Sequence, residues 1–240
     1  MTRSVPIRLE GPLQAWGVWC VGDHRPTTDA PTKTGVLGLV ACCLGITRDQ
    51  TAALTQLHTS CLVQVRVDRR GTRMVDDQTI QGLDKVKMAN GSGRASPTRQ
   101  TIQSKRIYLA DASFVALVQT DDEQAARIAA ALRAPVYAPF LGRKSCPPSV
   151  PLFIPSLDVV DGSTEEAFSR IPRADRSDSS DLLLDGDIEH PHRLRRLRQR
   201  DALTGPLPRQ FAERFVTHVR PSVSSTSSLV RDTIDDWMPR

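Results

Sequence analysis

Three patterns predict an α+β fold whose core follows the ferredoxin-like, RRM-like split β-α-β order. An alternating run opens the chain, Val5, Ile7 and Leu9 against Pro6, Arg8 and Glu10, as a strand with one buried face does. After a helical stretch comes a second alternation, Val63, Val65 and Val67 against Gln64, Arg66 and Asp68. Further on, Ser113-Phe114-Val115-Ala116-Leu117-Val118 is almost continuously apolar and is followed by an alanine-rich helix, which suits a central, covered strand. The sum is β-α-β, a polar projection, β-α and then more strand.

The first strand expires at Gly11-Pro12, and a long glycine- and proline-rich loop runs from there to a helix in which Val36, Leu39, Val40, Cys43 and Leu44 recur at helical spacing. Thr34 and Gly35, just ahead, are its cap candidates. Because the first N–H groups of a helix lack internal partners and its dipole is positive there, Thr32, Lys33, Thr34 and Gly35 suit a phosphate; a plain cap with a solvated lysine is the alternative. The order is not that of a nucleotide-triphosphate loop. The helix continues or restarts through Asp49 to His58, with Ala53, Leu54 and Leu57 on one face. Arg70-Gly71 and Asp76-Asp77 read as turn positions beyond the second strand. Lys85 to Thr98, rich in glycine, serine and basic residues, has no core periodicity and is expected to project as a loop. Asp121 to Arg133 reads as a helix with an acidic start and the buried stripe Ala125, Ile128, Ala129 and Leu132.

At 240 residues the chain is long enough for a full core. Neither an N-terminal apolar signal region nor a membrane-length apolar run is visible, so a soluble, cytoplasmic protein is expected, with no membrane partner. The five cysteines (Cys20, Cys42, Cys43, Cys61, Cys146) form an odd set without C-x-x-C, which argues for reduced thiols and against a zinc site or disulfide framework. No metal or cofactor is expected. The formal charge of +5 is modest, but six basic residues against Asp84 alone lie between 84 and 106, and five arginines without an acid lie between 191 and 200. Six acids precede the arginine block between 175 and 189; neither block receives a role from the sequence. Gathered positive charge is the footprint of a nucleic-acid partner, although a solvated face looks the same in sequence. Base stacking on sheet aromatics, the usual RNA-recognition-motif mechanism, is disfavoured because aromatics make up 5% of the chain and only Phe114 lies in the candidate strand. Loops must therefore do the binding.

Several motifs then carry a family resemblance: Gly11-Pro12-Leu13-Gln14-Ala15-Trp16-Gly17, Arg25-Pro26-Thr27, Pro31 to Leu39, Leu44-Gly45-Ile46, Tyr108 to Phe114, Phe140 to Pro147, and Leu207 to Phe211. In this order the chain resembles the CasD-type subunits of type I-E CRISPR Cascade complexes, within the repeat-associated RNA-binding superfamily. The resemblance implies a ferredoxin-like palm (1–83 and 107–155), a thumb inserted between strands two and three (84–106) and a small C-terminal subdomain (156–220), with 221–240 expected as a flexible, serine-rich tail. It implies a non-catalytic subunit that caps the 5′ handle of a CRISPR RNA, meets the backbone subunit CasC and the large subunit CasA, and serves target DNA recognition indirectly.

The candidate RNA-binding residues are Gln14, Trp16, Arg25, Thr32, Lys33, Thr34, Gly35, Lys85, Lys87, Met88, Arg99, Arg106, Gly142, Arg143, Lys144, Ser145 and Arg209. Gln14 either reads a base edge or satisfies a backbone group, and Trp16 is a packing anchor or a base stacker. Arg143 and Lys144 on a glycine turn suit a phosphodiester. No aromatic residue lies between Leu83 and Arg106, which leaves aliphatic Met88 as the side chain to wedge against a base. Arg209, with Gln210 and Phe211, either binds RNA or clamps the C-terminal region to the palm. The competing class is a metal-independent endoribonuclease, which needs a general acid and base about the 2′-OH. His24, His58, His190, His192 and His218 are scattered, and only His24 lies in the Gly11 to Gly35 loop. A generic nucleic-acid-binding module is the third class.

Overall fold

The structure, a computed structural model, describes residues 3–17, 24–82, 100–174, 176–177, 179–206 and 209–221. It is a mixed α+β arrangement of two sheets whose neighbouring strands are nearly all antiparallel. The centre of the larger sheet is strand β7 (Ser113–Thr120), paired on one side with β1 (Arg3–Glu10) and on the other with β4 (Leu62–Arg69). Helices α1 (Lys33–Leu44), α2 (Thr51–Ser60) and α3 (Asp122–Arg133) belong to the same core, where Val36, Val40, Ile128 and Leu132 meet Ile7, Val63, Phe114 and Ala116.

The other face of β7 is covered as well. Val115 and Leu117 pack with Ile154, Val160, Phe168 and Ile171 around α4 (Thr164–Arg170). Burial on both faces explains the unbroken apolar run of β7. It also corrects the half-buried expectation for β1. Ser4 exchanges backbone hydrogen bonds with Val160 at 3.0 and 2.8 Å, and the Arg8 N–H reaches the Leu152 carbonyl at 2.8 Å, so the edge of β1 lies under the 150s segment and Ser4 and Pro6 are buried too.

The stripe expected on α3 is the buried one, and Asp121 caps that helix through its side chain. On α1 the cap is Thr32, not Thr34 or Gly35: the Thr32 side chain accepts from the Gly35 N–H, and the helix has begun by Lys33. Arg70-Gly71 is the turn expected after β4, but Asp76 and Asp77 lie inside strand β5 (Thr72–Gly82). Their in-register pairing with Arg106 and Lys105 of β6 (Gln100–Ala110) overrides the turn preference of consecutive aspartates. Strands β5 and β6 form a long ribbon from Thr72↔Ala110 to Gly82↔Gln100. Short strands β2 (Leu13–Gln14) and β3 (His24–Arg25) add to the other edge of β6.

The C-terminal third extends the larger sheet. β8 (Leu182–Asp185) pairs with β4, and β10 (Arg209–Val219) lies between β8 and β9 (Arg193–Pro206), giving the order β1-β7-β4-β8-β10-β9. A buried ion pair pins the junction: Arg66 meets Asp68 at 2.6 and 2.9 Å and donates to the carbonyls of Phe168, Ile171 and Pro172. Cys42, Cys43, Cys61 and Cys146 are unpaired thiols, and burial pushes the Cys43 thiol up to about 12. Among the described residues no helix is long and apolar enough to cross a membrane, and no cluster of metal-ligating side chains occurs.

Candidate nucleic-acid interface

The residues expected to bind RNA separate into three groups. The first is internal scaffold. Gln14 is fully buried; its Nε2 donates to the carbonyls of Leu9 (2.9 Å) and Ala112 (2.8 Å), and its Oε1 accepts from Trp16 Nε1 at 3.1 Å. With the amide so committed no hydrogen-bonding capacity is left facing outward, and Gln14 is a backbone clamp rather than a base reader. Trp16 is fully buried too, its N–H to Thr27 Oγ1 at 2.8 Å and its carbonyl accepting from the Thr28 N–H at 2.9 Å. A Cβ on Gly35 would sit 2.8 Å from Trp16 Cε3. Trp16 and Gly35, distant in sequence, are thus two halves of one contact.

The second group is the N-terminus of α1, where an anion is already in place. The Asp201 carboxylate of β9 accepts from the Lys33 backbone N–H at 2.8 Å. The Lys33 ammonium lies 3.2 Å from Asp185, and Arg214 of β10 bridges both acids, at 2.8 Å to Asp185 and 2.6 and 3.0 Å to Asp201. All four side chains are mostly buried. The helix dipole and the lysine are satisfied by the chain's own carboxylates, which corrects the expectation of a phosphate on Thr32, Lys33, Thr34 and Gly35. Nothing local could reveal this, because Asp185, Asp201 and Arg214 stand more than 150 residues from Lys33.

The third group converges at the root of the β5–β6 ribbon. β3 runs parallel to β6 there, pairing Arg25 with Arg106 and His24 with Lys105. The loop of Gly142 docks on this joint. Gly142 has φ +88° and approaches so closely that a Cβ would fall 1.7 Å from the Ala15 carbonyl oxygen, so only glycine fits. Arg143 turns inward, donating to the carbonyls of Ile107 (3.1 Å), Arg25 (2.8 Å) and Pro26 (3.3 Å), its guanidinium 4.7 Å from the centroid of the Tyr108 ring. Lys144 and Ser145 remain exposed on the turn. The Arg106 Nε and the Ser104 hydroxyl are buried without a hydrogen-bond partner, and Asp76, opposite Arg106 in the ladder, is bonded to Gln78 instead. Among the described residues no ion pair joins Arg106, Arg143 or Lys144 to a carboxylate. Tyr108, read from sequence as core, is the supporting ring that sequence reasoning missed.

Lys85, Lys87, Met88 and Arg99 lie outside the described residues, as does the side chain of Arg209, whose backbone pairs with Pro206. Of the described histidines, His190 and His192 lie together, their ring centroids 5.8 Å apart, with the His192 N–H donating to His190 Nδ1 at 3.1 Å. His24 is exposed on β3 and His58 is largely buried on α2, whereas His190 lies against Glu165 and His218 Nε2 donates to Asp181 at 2.6 Å.

As a whole the chain is similar to CRISPR-associated proteins. The model of the CRISPR-associated Cas5 proteins matches residues 5–217. The CRISPR system Cascade subunit CasD of Escherichia coli (strain K12) is 35% identical over 219 residues, covering 89% of this chain and 94% of that protein. A solved CRISPR RNA-guided surveillance complex contains a chain similar to this one at TM-score 0.72 and 28% identity, covering 97% of both. A crystal structure of a Cas protein is similar at TM-score 0.67 and 29% identity, covering 91% of this chain and 95% of that one.

Proposed function

The chain belongs to the CRISPR-associated Cas5 family, and from that premise we propose that it is a non-catalytic subunit of an RNA-guided surveillance complex that binds and caps the 5′ handle of the CRISPR RNA. The observation that carries this reading is the convergence of Arg25, Arg106, Arg143 and Lys144 on one corner where the described ion pairs supply no carboxylate to Arg106, Arg143 or Lys144. Phosphate contacts hold register without reading sequence, and a corner with the backbone-anchored Arg143 and a glycine turn suits that task.

The ferredoxin-like palm (1–83 and 107–155) is supported by the order β1-β7-β4 with α1 and α3 in the connections. The thumb (84–106) is supported by the β5–β6 ribbon, whose strands lead to residues 83–99. Through the thumb and the C-terminal region (156–220) the subunit contacts the backbone subunit CasC and the large subunit CasA, and it serves target DNA recognition through the guide. The endoribonuclease alternative is not favoured: His24, its best candidate, lies among cations on β3, His58 and His218 lie on other elements, and the adjacent His190 and His192 belong to the loop between β8 and β9. The test is co-purification with the other subunits followed by sequencing of the bound RNA. A short RNA of uniform repeat-derived 5′ end is expected; a random RNA population would overturn the reading. Purified protein is also expected to leave cognate repeat RNA uncut, with or without divalent metal, and specific cleavage abolished by His24→Ala would reverse that.

A further inference from the structure

The arginine block of β9 has no part in the handle site, and it forms a surface of its own. Register across β9 and β10 places Phe215 opposite Arg198 and Thr217 opposite Arg196, so these residues share one face with Arg200. Leu197 and Asp201 turn to the opposite face, toward the core and α1. On the outer face Arg196 and Arg198 lie 4.4 and 5.9 Å from the centroid of the Phe215 ring. Phe215 is 37% exposed. Asp187 pairs with Arg193 and Arg196, Glu213 with Arg198, and Arg200 donates to the Phe211 carbonyl at 3.1 Å. Among the described residues Arg193, Arg196, Arg198 and Arg200 meet two carboxylates, Asp187 and Glu213, and the face keeps a positive balance.

We propose that this face, Arg196, Arg198 and Arg200 with Phe215, is a second nucleic-acid track and that its occupant is unpaired DNA. Alternate residues of a strand repeat every ~6.7 Å, so the three arginines form a row along β9, bent where the register shifts opposite Ala212 and Arg214, that suits the backbone of an extended single strand. An exposed ring capped by guanidiniums offers a stacking platform that unpaired bases can use and duplex bases cannot. Asp187 and Glu213, 39% and 56% exposed, pair with Arg196 and Arg198 on this face, and the choice of DNA as occupant rests on the proposed function. With the guide's end held at the ribbon root, the unpaired strand that an RNA-guided complex generates is the DNA it displaces.

The full chain is titrated with a fluorescent oligothymidylate over a salt series, beside the matching duplex and the handle RNA. Each phosphate contact contributes ~0.7 to the log-log salt slope on single strands, so the triple variant Arg196→Ala/Arg198→Ala/Arg200→Ala is expected to lose about 2 from that slope. Phe215→Leu is expected to weaken binding with the slope kept. Arg106→Ala is expected to impair the handle RNA and leave the DNA slope alone, which separates this proposal from the handle reading. Should the triple variant lose its fold, Arg198→Ala alone is expected to lower the slope by ~0.7. An unchanged slope, or duplex bound as tightly as single strand, overturns the proposal. So does a variant that keeps DNA binding but drops a protein subunit from the reconstituted complex, because the face then belongs to a protein partner.

Discussion

At the N-terminus of α1, Lys33 and Arg214 are matched by Asp185 and Asp201 of the same chain, whereas at the root of the β5–β6 ribbon no described carboxylate pairs with Arg106, Arg143 or Lys144. Both corners look alike in sequence: a glycine near threonine or serine and a cation. They differ in whether folding delivers an acid. In the first corner the charges hold the β9–β10 hairpin against the helix and are used up by stability. In the second Arg143 is held in place by carbonyls and a tyrosine ring, and no described carboxylate neutralises any of the three.

The strongest way to break this contrast is Arg214→Ala, which leaves two buried carboxylates with only Lys33 between them. Removing one partner of a buried pair costs about 3–5 kcal/mol, read as a lower denaturant midpoint, with RNA affinity of the folded fraction unchanged. A variant that kept its stability but lost RNA would place the phosphate at α1 after all.

Gly35→Ala follows. The added methyl would overlap Trp16 Cε3 at 2.8 Å, and overpacking of this kind costs about 1–3 kcal/mol. Thermal unfolding measures it; an RNA defect without a stability loss would contradict the purely structural role of this glycine.

The self-neutralised regions should also give way in acid. Burial by itself would raise the Asp181 carboxyl, but hydrogen bonds from Arg220, His218 and Arg70 outweigh it and hold the group well below the usual carboxylate range. A folded pKa below the unfolded one gives stability that is complete above the unfolded value of about 3.9 and is lost as pH falls through the folded pKa. Below about pH 4 this single group is expected to contribute a slope of ~1.4 kcal/mol per pH unit. Equilibrium unfolding against pH should show Asp181→Asn flattened by that amount.

The smallest effects belong to the unpaired corner. Lys144→Ala is expected to lower the salt slope for handle RNA by ~0.7, equally for matched and scrambled handles. Lys33→Ala is expected to leave that slope alone and lower stability instead. If the lysine roles reversed, the division between the two corners would be wrong.

Much of the core was legible before any coordinates. The apolar run from Ser113 to Val118 and the stripe Ala125, Ile128, Ala129 and Leu132 are buried as their periodicity indicates, because burial by neighbouring elements acts on each residue through spacing along its own element. Gly11 of the opening loop and Gly142 of Phe140 to Pro147 mark real backbone constraints, since a Cβ would fall 2.8 Å from the Pro147 carbonyl oxygen at the first and 1.7 Å from that of Ala15 at the second. What periodicity and motif cannot carry is pairing across the chain. Whether Lys33 faces solvent or Asp185, whether Gln14 faces a base or the Leu9 carbonyl, and whether Arg143 points outward or onto Tyr108 depended on groups between 5 and more than 150 residues away. An isolated cation or amide has the same local signature in both situations. Only the folded arrangement decides it, because hydrogen bonds and ion pairs act over a few ångströms and tertiary structure alone sets which groups come that close.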